Sequence, residues 1–272
     1  MIGIYPNPNI LLQKLQRKTR VSPPSHSVAL TITGSACGWA APGTAAILLE
    51  KGLARRHAGG LAIDDPDTLD AVALALRDAG QLKSWRGETL DVLAPDDRVL
   101  GRIERAAMRP LGLRTRAVHL QALGSDGRIW IARRSAHKST DPGLWDTLVG
   151  GLVAAGESLH EALLRESNEE AGLLPEELQN ARRLGQFEVS REVPEGYQVE
   201  STWISVCRLP DQRRPVNRDG EVDRIELAKL DEVLKAIADD RFTAEAALSI
   251  LHWLLAANSP EPVVQRGAGG LV

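Results

Sequence analysis

Cysteine is nearly missing from this chain: Cys37 and Cys207 are the only two in 272 residues. They stand far apart and match no zinc or redox spacing, so a disulfide framework and a cysteine-bound metal are both excluded. Each is read as a buried thiol in a reducing compartment. No apolar run reaches the roughly 18 residues that a membrane-spanning helix needs. A strong charge of either sign is also lacking. The formal net charge is -3, which gives no long-range pull on nucleic acid or an anionic membrane. No acidic residue precedes Glu50, although Lys14, Arg17, Lys18 and Arg20 cluster early. An acid-poor basic start can be an organelle transit segment. Here Pro6, Pro8, Pro23 and Pro24 interrupt it and no long apolar stretch follows, so a flexible tail on a cytoplasmic protein is expected instead. No internal repeat is visible.

What is present is ordinary for a globular protein: 43% hydrophobic and 25% charged residues. The length suits one large domain or two small ones. Residues 1–26 read as irregular and flexible. A β-type run at 28–33 is the first ordered piece expected. A helix follows, with Asp65 as cap, Pro66 in its first turn, Leu69, Val72, Ala73 and Leu76 at helical spacing, and Gly80 as its stop. Residues 27–111 thus form a small α/β unit, with a boundary near Pro110-Leu111-Gly112. Beyond it, runs at 116–122 and 128–132 flank Ser125-Asp126-Gly127, a hairpin signal. Strand-like runs follow at 145–149 and 201–209, a helix at 158–171, and closing helices near 230–239 and 243–257. The order implies an α+β fold over 112–258, with a Gly- and Pro-rich flexible tail at 259–272.

The chemistry concentrates between Gly150 and Leu173. Ser158 and Glu161 form a capping box, so a helix begins there. On that helix Glu166, Glu169 and Glu170 share one face, at a cost of a few tenths of a kcal/mol per repelling pair. No lysine stands four residues away to relieve them. A face of this kind is either solvated surface or a cage for a hard cation, which takes carboxylate oxygens and phosphate oxygens. The Gly150-Gly151 pair lets the loop backbone approach the helix and offer the Gly150 carbonyl. Arg165 can fix a neighbouring carboxylate, and Gly172 ends the helix. Gly151, Glu157, Arg165, Glu166, Glu169, Glu170 and Gly172 at these spacings would coincide by chance on the order of once in a million such chains at background composition.

That pattern resembles the Nudix box, and the likeness to Nudix hydrolases runs from about residue 114 to 257. Ser167 departs from it, since the family usually has a bulky aliphatic residue there; a small side chain implies closer packing of the helix or a local polar contact. A narrower resemblance rests on Trp85-Arg86-Gly87-Glu88, Arg102-Ile103-Glu104-Arg105, Val118-His119-Leu120, Trp130-Ile131-Ala132-Arg133-Arg134, Lys138-Ser139-Thr140 and Asp219-Gly220-Glu221-Val222. These look like a thiamine-pyrophosphokinase-related Nudix subgroup with an N-terminal domain of unknown function, some of whose members hydrolyse oxidised thiamine diphosphates.

The resemblance implies a Nudix α/β/α sandwich with a mixed sheet, preceded by the small α/β domain. It implies Mg²⁺, or Mn²⁺ in its place, held by Glu166, Glu169, Glu170 and the Gly150 carbonyl. Glu166, oriented by Arg165, becomes the general base, and Glu157 a support of the loop. Glu221 is either a further catalytic acid or a turn carboxylate beside Gly220. At least one of Arg133, Arg134 and Lys138 clamps the distal phosphate, or all three are an exposed basic rim. His119 is expected to be a satisfied half-buried histidine, His160 solvated, Tyr197 and Trp203 core, and Trp145 a packing residue; the Trp85 and Glu88 cluster is open to a role between domains. The implied activity is hydrolysis of a small organic diphosphate. A nucleoside diphosphate derivative such as ADP-ribose, and a ligand-sensing module without turnover, are the alternatives. Diphosphate isomerisation lacks its cysteine motif here. A homodimer is compatible with the sequence.

Overall fold

The computed structural model describes residues 6–138 and 140–257. The expected flexible tail at 259–272 lies outside the described residues, as does Ser139. The first element corrects the reading of 1–26 as irregular. Helix α1, Pro8–Thr19, is capped by the Asn7 side chain, which accepts from the Asn9 N–H at 2.9 Å. Pro8 sits in the first turn, where it has no helical N–H to forfeit. Leu11 and Leu15, one turn apart, bury against α6 (Ala244–Ala257). Lys14 and Lys18 reach Asp240, so acids missing from the early sequence are supplied by the far end of the chain.

Residues from 28 to 113 build a core of their own. Its strands are β1 (Val28–Ile32), β2 (Ser35–Ala40), β3 (Arg55–His57) and β4 (Gly60–Ile63), in the order β2-β1-β4-β3 with β1 and β4 parallel. Helices α2 (Pro42–Glu50) and α3 (Leu69–Asp78) share one buried core with this sheet. Asp65 caps a short 3-10 turn at Pro66–Thr68 that leads into α3, and Leu69, Val72, Ala73 and Leu76 are its buried face. A two-stranded ribbon, β5 (Thr89–Leu93) and β6 (Val99–Glu104), then turns through a 3-10 helix at Arg105–Ala107 towards the second half.

The larger sheet is mixed. It contains β7 (Arg114–Leu123), β8 (Ile129–Arg134), β9 (Trp145–Thr147), β10 (Val149–Leu152), β11 (Arg182–Val193), β12 (Gly196–Arg208) and β13 (Val222–Ala228). The main path runs β11-β12-β7-β8-β13, with β10 added to β7 and β9 to β8; the β12–β7 pair is parallel. Strand alternation splits its side chains between two faces. Ile129 and Ile131 point into one core with α1, α5 (Leu230–Ala238) and α6. Val118, Leu120, Ala122 and Trp130 point into the other, against α4 (Leu159–Ala171). The result is a sheet between helical layers, as the α+β expectation requires. Among the described residues no helix is long and apolar enough to cross a membrane. Cys207 is buried and Cys37 half-buried; neither is paired, and burial pushes both thiols up to about 12.

Candidate active site

Helix α4 begins where the capping box requires: Ser158 Oγ accepts from the Glu161 N–H, and the Glu161 carboxylate accepts from the Ser158 N–H. It ends at Gly172, whose φ of 62° no β-branched side chain tolerates well. Ser167 is fully buried and its hydroxyl meets no partner among the described residues, which fits the close packing of the helix expected of a small side chain.

Between these ends the helix lies against β10. A Cβ at Gly151 would stand 2.0 Å from Cδ of Glu166, so glycine is what lets that carboxylate rest on the strand backbone. The Gly150 N–H donates to Glu170 Oε2 at 2.9 Å. Arg165 is the brace. It donates to both Glu157 oxygens (2.8 and 2.9 Å), to Glu166 (2.8 Å), to Glu169 (3.2 Å) and to the Leu152 carbonyl (3.0 Å). Glu157 in turn accepts from the Ala154 N–H. One guanidinium therefore ties the loop 152–157 to the helix and orients Glu166.

Glu170 faces another group. Its oxygen lies within 4.8 Å of carboxylate oxygens from Asp219 and Glu221. Lys138 bonds Glu221 and approaches Glu170 to 3.8 Å. The loop carrying the two outer acids is pinned by the Glu221 N–H to Asp219 Oδ1 (2.8 Å) and by the Ser135 N–H to the Glu221 carbonyl (2.9 Å). The acids thus divide between two cations, Glu166 and Glu169 with Arg165, Glu170 and Glu221 with Lys138. Asp219 was not singled out from sequence as a site residue; its Asp-Gly-Glu setting beside Glu221 was the available signal.

The electrostatics follow burial. Glu170 is pushed up to about 8, chiefly because its charged form is desolvated, with Lys138 opposing. Burial also raises Glu166 above the ordinary carboxylate range, against the pull of Arg165. Glu157 is held low by its hydrogen bond to Arg165. Burial acts to raise Glu221, yet the Lys138 bond and charge, with Arg105 and Arg134, leave it lowered. His119 is buried and kept neutral by desolvation; its Nδ1 lies 2.8 Å from Thr147 Oγ1. That hydroxyl donates to the Val149 carbonyl, so it accepts from Nδ1–H, and His119 is the satisfied histidine expected.

The basic trio separates. Arg133 and Arg134 are successive on β8 and point to opposite faces. Arg133 donates to the Gly143 carbonyl, and it is not part of the cavity wall among the described residues. Arg134 lines the cavity but is bonded to Asp146 and to the Thr140 carbonyl. Lys138 lines it beside the acids. Trp85 is 44% exposed with Arg77 over its ring, and Glu88 reaches the cavity. His160 is exposed, and Tyr197 and Trp145 pack into core. Trp203 is half-buried under Arg183.

That cavity, of about 770 Å³, opens beside Gly151, Glu166 and Glu169 and is walled by both halves of the chain. Its wall also carries Glu200 and Glu245. Glu200 accepts from Thr115 Oγ1 at 3.2 Å; Glu245 accepts from Arg191 at 2.9 Å and Gln198 at 3.2 Å. Burial, then the charge of Glu245, pushes Glu200 up to about 7. Sequence reasoning missed this pair. A lone acid in the otherwise apolar run of α6 was its one trace.

A family model described as NUDIX domain matches residues 113–248. An uncharacterized Nudix hydrolase of Streptomyces coelicolor is 43% identical over 91 residues, covering 34% of this chain and 50% of its own. The chloroplastic Nudix hydrolase 24 of Arabidopsis thaliana is 31% identical over 175 residues, covering 58% of this chain and 46% of its own. The chain therefore spans about half the length of these curated relatives. A crystal structure of a protein from Deinococcus radiodurans aligns with a TM-score of 0.49 at 27% identity, over 61% of this chain and 98% of that one.

Proposed function

This chain belongs to the Nudix family, and from that premise we propose that it hydrolyses a diphosphate linkage in a small organic diphosphate with the help of a divalent cation. The observation that carries the proposal is the meeting of box and outer acids, Glu170 with Asp219 and Glu221, beside a cavity that Glu166 and Glu169 line. The donor set fits such a cation. Every side-chain donor is a carboxylate oxygen, a hard ligand suited to Mg²⁺ or Mn²⁺. The acids also outnumber Arg165 and Lys138, the cations bonded to them. In this reading Glu166, Glu169, Glu170 and the Gly150 carbonyl hold metal, joined by Glu221 and Asp219. A cation bound there supplies charge neutralisation on the diphosphate and a more acidic water.

The protein's own part is positioning. Glu166 is the general base: it faces the cavity, burial raises its proton affinity, and Arg165 fixes its orientation. Glu157 and Gly151 hold that geometry, and Gly172 closes the helix that bears it. Lys138, which bonds Glu221 and lies 3.8 Å from Glu170 on the cavity wall, is placed to reach a phosphate oxygen. Phosphoryl chemistry asks for little more than such placement and charge.

For the substrate, the 85–88, 102–105 and 219–222 motifs favour an oxidised thiamine diphosphate; the competing substrate is a nucleoside diphosphate derivative such as ADP-ribose. Incubation of the full chain with Mg²⁺ or Mn²⁺ and a panel containing both groups tests the proposal. Release of a monophosphate from at least one member is expected. No release from any member, with the protein folded, leaves the non-catalytic sensing module as the better account.

A further inference from the structure

Of the three basic residues expected to clamp a phosphate, Arg133 points away from the cavity and Arg134 is bonded to Asp146, which leaves Lys138 at the acids. Guanidinium groups reach the cavity from elsewhere. Arg86, Arg105 and Arg109 all line it, and all precede the stretch matched by the family model. Their placement is built. The carboxylate of Glu104 is 3% exposed and accepts from the Arg86 N–H at 2.8 Å and the Ala106 N–H at 3.4 Å. The Arg105 N–H donates to the Glu88 carbonyl at 2.8 Å. These bonds lock the loop at 84–88 onto the 3-10 turn at 105–107, and both Arg86 and Arg105 line the cavity wall. Arg105 is bonded through Nη1 to Glu88 at 2.6 Å, an ion pair open to solvent. Arg105 and Glu221 both line the cavity. Arg109, also on the wall, is paired with Glu195 at 3.9 Å.

We propose that Arg86 and Arg105 form a phosphate subsite contributed by the N-terminal unit, which grips the phosphoryl group of the substrate farther from the box acids. The inference rests on the proposed diphosphate reading. Of the two phosphoryl groups of a diphosphate, one would have its charge neutralised by a cation held at the acids, and the other would take direct donors. Guanidinium forks match phosphate geometry and stay charged at any working pH. The subsite gives the residues Trp85-Arg86-Gly87-Glu88 and Arg102-Ile103-Glu104-Arg105 a purpose: Glu104 is the internal fastener, and the arginines it aims are the contact.

The test uses the full chain, Mg²⁺ and methylenediphosphonate, a diphosphate analogue that cannot be hydrolysed, in a calorimetric titration. The Arg86→Gln/Arg105→Gln double variant is expected to bind about tenfold or more weakly, as loss of charge-assisted hydrogen bonds implies. In steady-state assays its KM should rise by a similar factor, with kcat changed less. Arg55→Gln, which removes an exposed guanidinium paired with Asp64 and outside the cavity wall, should bind like the wild type. Glu88→Gln frees Arg105 from its present partner and should bind at least as tightly. Binding by the double variant within twofold of wild type overturns the subsite. So does weakening by Glu88→Gln equal to that of the double variant, which would make the ion pair the cause. If the wild type binds the analogue through these arginines yet hydrolyses no diphosphate, the subsite stands and the catalytic reading falls. If it hydrolyses diphosphates with KM unaffected by the double variant, the reverse holds.

Discussion

Gly151→Ala is expected to spare the fold and damage the site, because its added Cβ would collide with a carboxylate and not with backbone. The added Cβ would lie 2.0 Å from Glu166 Cδ and 2.1 and 2.5 Å from its oxygens. Comfortable carbon contacts need about 3.5 Å or more, so something must move by roughly 1.5 Å. The strand cannot yield easily, because Gly151 is in register with Val118 of β7. The carboxylate can, since it ends a flexible side chain. The fold should therefore lose only about 1 kcal/mol, the low end for overpacking, which lowers Tm by a few degrees at this size. Activity should fall far more. Glu166 would leave its 2.8 Å bond to Arg165 and its place at the cavity wall, and a misplacement of about 1 Å in catalytic geometry costs on the order of a hundredfold. Steady-state kinetics on the best substrate from the panel, alongside a circular-dichroism melt, reads both quantities. A variant with kcat/KM within twofold of wild type would refute the claim that the glycine exists to seat this carboxylate.

Three further outcomes are expected. Arg165→Lys keeps the charge but loses the fork that holds Glu157, Glu166 and the Leu152 carbonyl together; kcat should drop at least about tenfold, and a wild-type rate would show that the brace is dispensable. Glu169→Gln/Glu170→Gln should abolish turnover with an unchanged far-ultraviolet spectrum, and the rise in Tm that excess Mg²⁺ gives the wild type should vanish; unfolding instead would assign these acids a structural role. Glu200 binds its proton more tightly in the fold, at about 7 against an ordinary 4.5. Between those values the native state holds more protons than the unfolded one, so this group's contribution makes stability fall as pH rises. Urea midpoints at pH 5 and pH 8 should differ less in Glu200→Gln than in wild type; an equal or larger difference would contradict the assignment.

The acidic helix was readable residue by residue because a helix converts spacing into geometry. Ser158 and Glu161 set its start, Gly172 its end, and 3.6 residues per turn put Glu166, Glu169 and Glu170 on one side. The apolar alternation of β7 and β8 and the hairpin turn between them were equally local signals. Helix α1 was hidden by its prolines, although Pro8 sits where proline favours a helix. Strand β11 carries few apolar residues, since it is the edge of its sheet and only Phe187 and Val189 are buried along it. Lys138 as the partner of Glu170 was invisible to a search for relief four residues away on the same helix.

By itself, the order of residues determined which side chains share a turn of helix or a face of strand, and hence the Nudix box and the type of chemistry it can do. Only the tertiary structure decided what stands opposite those side chains. Residues 86, 105, 200, 219, 221 and 245 reach the same acids or the same cavity because sheet order and loop paths bring them there. Local spacing obeys fixed backbone periods, whereas meetings over a hundred residues depend on how whole layers pack, which no short window of sequence encodes.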